Sequence, residues 1–312
     1  MKTRKLGRSE LEVTPLCLGG NVFGRNGRIT DEATEFAVLD AYVEAGGNFI
    51  DTADVYSKGE SEVMIGRWMK QRGTRDRVIL ATKVGMEMAP DKHGLARKYI
   101  FQSVEDSLKR LQTDVIDLYQ AHRDDEQTPL EETMGAFNDL VKQGKVRYIG
   151  ASNFTPERLA EAQKVSQQQG YVRYESLQPL YNLVDREEFE NGLQQVSIKL
   201  EIGVISYFSL ARGFLSGKYR PNQELPKSPR AQTVQRLYMN ERGFVILEAV
   251  DRVAAEHNTG AATVALAWLM AQPGITAPIA SGTSPAQVRE LMQAVELQLT
   301  DEDLAALAKA GK

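Results

Sequence analysis

Four side chains in the first half of the chain can hold or move protons: Asp51, Tyr56, Lys83 and His122. Asp51 ends the run NFID, Tyr56 lies in the stretch after it, Lys83 ends VILATK, and His122 follows VIDLYQ. A charge at the inner end of an apolar run is costly unless paired, so Asp51 and Lys83 are expected to neutralise each other across adjacent strands. A free phenol titrates near about 10 and is a weak acid at neutral pH. An ammonium beside it favours the phenolate and lowers that value, which is the use Tyr56 would have for Lys83. His122 would then donate a hydrogen bond to a substrate oxygen and orient it. Singly, each residue also has a plainer use. Asp51 before Thr52 can cap a helix, Lys83 can be a rim charge, His122 can satisfy a loop, and Tyr56 can be a packed ring. As a set they fit general-acid help to a hydride acceptor.

Such a set needs elements that bring it together. Short β-branched runs recur with amphipathic stretches between them, which predicts parallel βαβ construction. Eight runs are found: PLCL near Leu16, NFID to Asp51, VILATK to Lys83, VIDLYQ near Leu118, VRYIGAS to Ser152, ESLQ to Gln178, GVISY to Tyr207, and TAPIAS near Ile279. Between them Phe36, Leu39 and Val43 share a helical face, as do Val104, Leu108 and Leu111, and Met134, Phe137 and Val141. Gly46-Gly47, Gly73 and Gln143-Gly144 are expected to stop helices, glycine taking the left-handed cap.

Eight βα units in series predict an α/β fold of the (β/α)8 TIM barrel type, one domain over residues 1–312. The alternative, an open doubly wound sheet, lacks its G-x-G-x-x-G fingerprint anywhere in the chain. Two long connections, Gly85 to Arg97 and Phe208 to Met239, are expected to lie over the C-terminal mouth, where strand ends converge on a site. The opening around Gly7 is expected to form a hairpin at the other end.

The composition excludes several classes. With 42% apolar and 26% charged residues the chain can bury a core without disulfides or metals. Its 38 basic and 42 acidic residues are interspersed at a net charge of -4, which offers neither a basic stripe for nucleic acid nor a polybasic patch for a membrane. The longest apolar run, Thr263 to Ala271, is about half a membrane span. No signal peptide is read at the N-terminus, and Cys17 between Leu16 and Leu18 is expected in a buried strand, so a cytoplasmic setting is expected. His93, His122 and His257 lie far apart and no metal site is expected. P-loop and serine-hydrolase motifs are missing.

At the four residues the chain resembles the aldo-keto reductase family, through NFIDTADVYSKGESE, ATKVG and LYQAHRDD. The resemblance continues in GKVRYIGASNF, SLQPLYNLVDR, ISYFSLARGFLSGKY and PIASGTSPAQVRE, nearly the whole chain. It implies carbonyl reduction with NADPH bound at the barrel mouth, Asp51, Tyr56, Lys83 and His122 being catalytic. Ser152, Asn153 and Gln178 would hold the nicotinamide carboxamide, whose donors and acceptors suit Asn and Gln. Tyr207 would stack on the nicotinamide, with Gly20, Asn21 and Asp51 also at the cofactor. Ser209, Leu210, Arg212, Gly213, Leu215, Gly217 and Lys218 would follow the pyrophosphate, and Ser281, Gly282, Thr283, Ser284 and Gln287 would clamp the adenosine phosphate. Three departures stand out. Asn21 stands where many members have an aromatic residue just after the first strand, Thr283 and Ser284 replace a frequent basic residue, and Leu291 replaces a frequent Asn. NADH is therefore kept as the alternative cofactor. The competing function is a cofactor-binding regulatory subunit of the same fold. Physiological substrate and oligomeric state are not read from the sequence; the partner expected is a small-molecule carbonyl.

Overall fold

The computed structural model of the protein describes residues 2–24 and 31–310. A short antiparallel hairpin, β1 (Arg4–Lys5) and β2 (Glu12–Val13), precedes the main sheet. The sheet strands are β3 (Cys17–Gly19), β4 (Phe49–Asp51), β5 (Ile79–Val84), β6 (Ile116–Ala121), β7 (Val146–Ser152), β8 (Tyr174–Gln178), β9 (Gly203–Val204) and β10 (Ile279–Ala280). All pair in parallel with sequence neighbours, and β10 pairs with β3. Val204 bridges Ile275, and the amide of Ile279 donates to Ser206 O at 2.8 Å, so the last strands meet across the remaining gap. This is the (β/α)8 TIM barrel. All eight runs expected as strands take part.

Helices α1 (Glu32–Glu44), α2 (Glu60–Arg72), α3 (Arg97–Leu111), α4 (Leu130–Lys142) and α5 (Pro156–Gln169) fill the first five connections. Then follow α6 (Gln194–Lys199), α7 (Ala231–Tyr238), α8 (Glu241–Glu256), α9 (Ala261–Met270), α10 (Pro285–Gln293) and α11 (Asp301–Ala310). The expected stops hold: Gly73 caps α2 at φ 61°, Gly46 follows α1 at φ 88°, and Gly144 follows α4 at φ 72°. The apolar run at Thr263 is the buried core of α9, and no helix among the described residues is long and apolar enough to cross a membrane. The connection from Phe208 to Met239 is not all loop. It contains α7, which buries Ala231, Val234 and Tyr238 on one face.

Alternation along the strands separates two cores. Ile50, Leu80 and Tyr119 face the helices, while Phe49, Ala81, Leu118, Cys17 and Ile279 fill the barrel together with Leu6, Leu11 and Val13 from the hairpin. The hairpin thus plugs one end, and Cys17 is fully buried. Continuing the period of two upward places Asp51, Lys83, Gln120 and Gln178 inside the barrel, above that apolar plug.

Candidate active site

The inward strand ends form a buried polar floor. Lys83 is completely buried, and its ammonium donates to Asp51 Oδ2 at 2.6 Å, Thr52 O at 2.8 Å and Tyr56 OH at 3.2 Å. An ammonium has three N–H groups, and these partners use all of them. The phenol oxygen therefore accepts from Lys83, and its own hydrogen is left for a partner in the space above. Asp51 is paired as its strand position predicts, and it caps no helix: α2 starts after Gly59. Such an ion pair is weak evidence for stability, since desolvation offsets the attraction, yet losing one partner strands a buried charge.

Tyr56 reaches this floor on a tight turn in which Ser57 and Lys58 take left-handed φ values of 50° and 57°. The His122 ring meets Tyr56 edge-on, centroids 5.8 Å apart. Burial holds the His122 imidazole well below the usual histidine range, and the Lys83 and Arg123 charges push it the same way, so the ring is neutral at pH 7. Its Nδ1 is buried without a partner, leaving Nε2 as the nitrogen toward the cavity. For Tyr56 the expectation needs correction. Lys83 does pull the phenol down by charge and hydrogen bond, but burial outweighs it and Asp51 adds to the rise, so the phenol stands above its ordinary value. For Lys83 the balance is opposite: burial lowers it, and Asp51 and Tyr56 more than restore it.

Above the floor opens a cavity of about 570 Å³. It is lined by Asp51, Tyr56 and His122 together with the sequence-derived positions Asn21, Ser152, Asn153, Gln178, Tyr207, Ser209, Leu210, Arg212, Gly213, Lys218, Ser281, Thr283 and Gln287. Lys83 lies beneath, hydrogen-bonded to Tyr56. Five further positions do not line it. Gly20 donates to Asp51 O at 2.7 Å, and a Cβ there would stand 3.1 Å from that oxygen. Leu215 is a core residue, and Gly217 caps a turn at φ 77°. A Cβ at Gly282 would meet Val288 at 2.8 Å, and Ser284 caps α10 through Gln287 N. Sequence reading missed Met86, Phe208, Arg230 and Glu290, which also line the cavity, as does Leu291 at the altered clamp position. Both long connections thus reach it, through Met86 in one and Phe208 to Arg230 in the other.

The wall groups are linked to one another. Asn153, at φ 55°, donates to His122 O at 2.9 Å and accepts from Tyr207 OH at 2.8 Å. Ser152 Oγ donates to Gln178 O at 2.8 Å, and Gln178 Nε2 donates to Asp51 Oδ1 at 2.9 Å. After β9, Phe208, Ala211 and Arg212 all have positive φ, a cost of order 1–3 kcal/mol each for non-glycine residues. The Arg212 guanidinium stacks 3.8 Å over the Phe208 ring, and its Nε is buried without a partner. Strain and an unpartnered donor at one edge of a cavity suit a site that takes a polar ligand.

A barrel with a buried acid–base array at the mouth of its strands defines a (β/α)8 enzyme. The chain belongs to the aldo/keto reductase family, whose model matches residues 15–312, and it is an oxidoreductase. It is 37% identical to the uncharacterized oxidoreductase YrpG of Bacillus subtilis (strain 168), over 97% of this chain and 94% of that protein. It is 33% identical to the aldo-keto reductase yakc [NADP(+)] of Schizosaccharomyces pombe, over 99% and 91% of the two chains. Norsolorinic acid reductase of Aspergillus flavus is 31% identical, over 94% and 76%.

Proposed function

We propose that this chain, as one barrel domain over residues 1–312, reduces a small aldehyde or ketone in the cytoplasm, with NADPH as reductant and Tyr56 as general acid. One observation carries the reading. Lys83 spends all three hydrogens on Asp51, Thr52 and Tyr56, which leaves the phenol hydrogen to be given into the cavity.

The cavity residues fit a nicotinamide dinucleotide. Ser152, Asn153 and Gln178 offer the mixed donors and acceptors a carboxamide needs, and Tyr207 offers a ring face beside them. Ser209, Leu210, Arg212, Gly213 and Lys218 supply charge and turned backbone for a pyrophosphate, and Ser281, Thr283 and Gln287 supply hydroxyl and amide groups for the adenosine end. When bound, the nicotinamide supplies the hydride. The protein's own part is positional and acidic. His122, kept neutral by burial, donates from Nε2 to the carbonyl oxygen, Tyr56 gives that oxygen its proton, and Lys83 held by Asp51 stabilises the phenolate left behind. NADPH is preferred over NADH because Arg212, Lys218 and Arg230 line the cavity, and because the relative yakc carries NADP(+) in its name.

Purified protein mixed with NADPH and a panel of aldehydes and ketones should consume nicotinamide absorbance. Tyr56→Phe should slow this by about 10²- to 10⁴-fold and leave cofactor affinity unchanged. Near-normal turnover in that variant removes Tyr56 from its role. Tight NADPH binding with no turnover on any carbonyl would instead favour the regulatory subunit.

A further inference from the structure

We infer that Gln120 is a positioning residue for this site: with Gln178, its buried amide sets the orientation of Asp51, and through Asp51 that of Lys83 and Tyr56. The inference rests on the reading of the site as a carbonyl reductase. Gln120 lies on β6, faces into the barrel and is completely inaccessible. The inward residues below it, Phe49, Ala81 and Leu118, are apolar, so a plain filler at this height would be apolar too. An amide is costly there unless its donors and acceptors are used.

They are used, and on the catalytic carboxylate. Gln120 Nε2 donates to Asp51 Oδ1 at 3.2 Å, the oxygen that also receives Gln178 Nε2, while Lys83 occupies Oδ2. Gln120 Oε1 accepts from Ser176 Oγ at 3.4 Å and from Gln178 Nε2 at 3.5 Å. The carboxylate is thereby held at both oxygens, from three strands. The neighbouring strand makes room for this: Gly150 pairs in register with Gln120, and a Cβ there would lie 3.1 Å from Gln120 Cγ and directly on Ser176 Oγ. Remove the Gln120 donor and the carboxylate can turn about its remaining bonds. Lys83 then follows it, away from the phenol.

Two variants of nearly equal size separate orientation from packing. Gln120→Leu should fold, by circular dichroism, with kcat lowered about tenfold and with carbonyl KM and NADPH Kd within about threefold of the wild type. Gln120→Glu sets a second carboxylate beside Asp51. Its kcat should be lower still at pH 8 and recover as the pH falls, because the protonated acid again donates to Asp51 Oδ1; the wild type should show no such recovery. If Gln120→Leu does not fold, the recovery in Gln120→Glu decides the matter. Wild-type turnover matched within twofold by the folded variants, with one common pH profile, overturns the role of Gln120 alone. A wild type that turns over no carbonyl overturns the reading of the site, and the inference with it.

Discussion

Thr82 and Lys83 are neighbours on β5, both completely buried and both hydrogen-bonded to a carboxylate, yet they serve opposite faces of the sheet. Lys83 points into the barrel, to Asp51 and the cavity. Thr82 points out to the helices, where its hydroxyl donates to Glu62 Oε1 at 2.6 Å and Arg110 Nε donates to Glu62 Oε2 at 2.7 Å. Beside that pair Asp54 accepts from Ser103 Oγ at 3.2 Å, while its Oδ1 is buried without a partner. Burial, with the nearby Glu62 charge, pushes the Asp54 carboxyl up to about 7. Both clusters are buried sets of charge made of similar groups. Of the two, the inner one lies at the cavity of about 570 Å³, which none of Thr82, Glu62, Asp54 and Arg110 lines. The outer one fastens α2 and α3 to the turn carrying Tyr56, whose Asp54 amide donates to Lys83 O at 3.3 Å.

The sharpest way to break this contrast is on the inner side. Lys83→Met should lower turnover by about 10²- to 10⁴-fold and, by leaving Asp51 buried and unpaired, cost about 3–5 kcal/mol in a denaturant melt. A variant equally destabilised but fully active would erase the distinction between the clusters. On the outer side the expected effect is on stability alone. An unfolded Asp titrates near about 3.9, so between that pH and about 7 the folded chain holds a proton on Asp54 that the unfolded chain has lost. Stability from this group is therefore full below about pH 4 and lost as the pH rises to about 7, by at most about 4 kcal/mol. Asp54→Asn should abolish that slope, so that its advantage over the wild type grows from pH 4 to pH 8; parallel stability curves would contradict it. The smallest effect is expected from Thr82→Val, which removes one hydroxyl from Glu62: about 1–2 kcal/mol of stability, with kcat unchanged within twofold. A tenfold fall in kcat there would mean that the outer cluster reaches the site.

Much of the inner cluster was legible in the chain, and almost none of the outer one. Asp51, Lys83 and His122 interrupt or follow apolar runs of strand length, and an alternating pattern tells which way they face. Asp54, Glu62 and Arg110 lie in stretches where polar residues are ordinary, and nothing in their spacing announces that helices will cover them. In the same way α7 went unread inside the connection from Phe208 to Met239, its one apolar face being only eight residues long. The strain at Phe208, Ala211 and Arg212 has no sequence signal either, since none of the three is glycine.

The order of strands, the side of the sheet each residue faces and the identity of the proton-bearing groups follow from periodicity and residue type, which are local properties of the chain. Burial and long-range distance are not local. Gln178 and Asp51 are 127 positions apart and share a hydrogen bond, and Gln120 joins them from a third strand. That one carboxylate is turned by two amides, and that burial outweighs Lys83 at the Tyr56 phenol, was decided only when the closed barrel brought those strands together and shut out water.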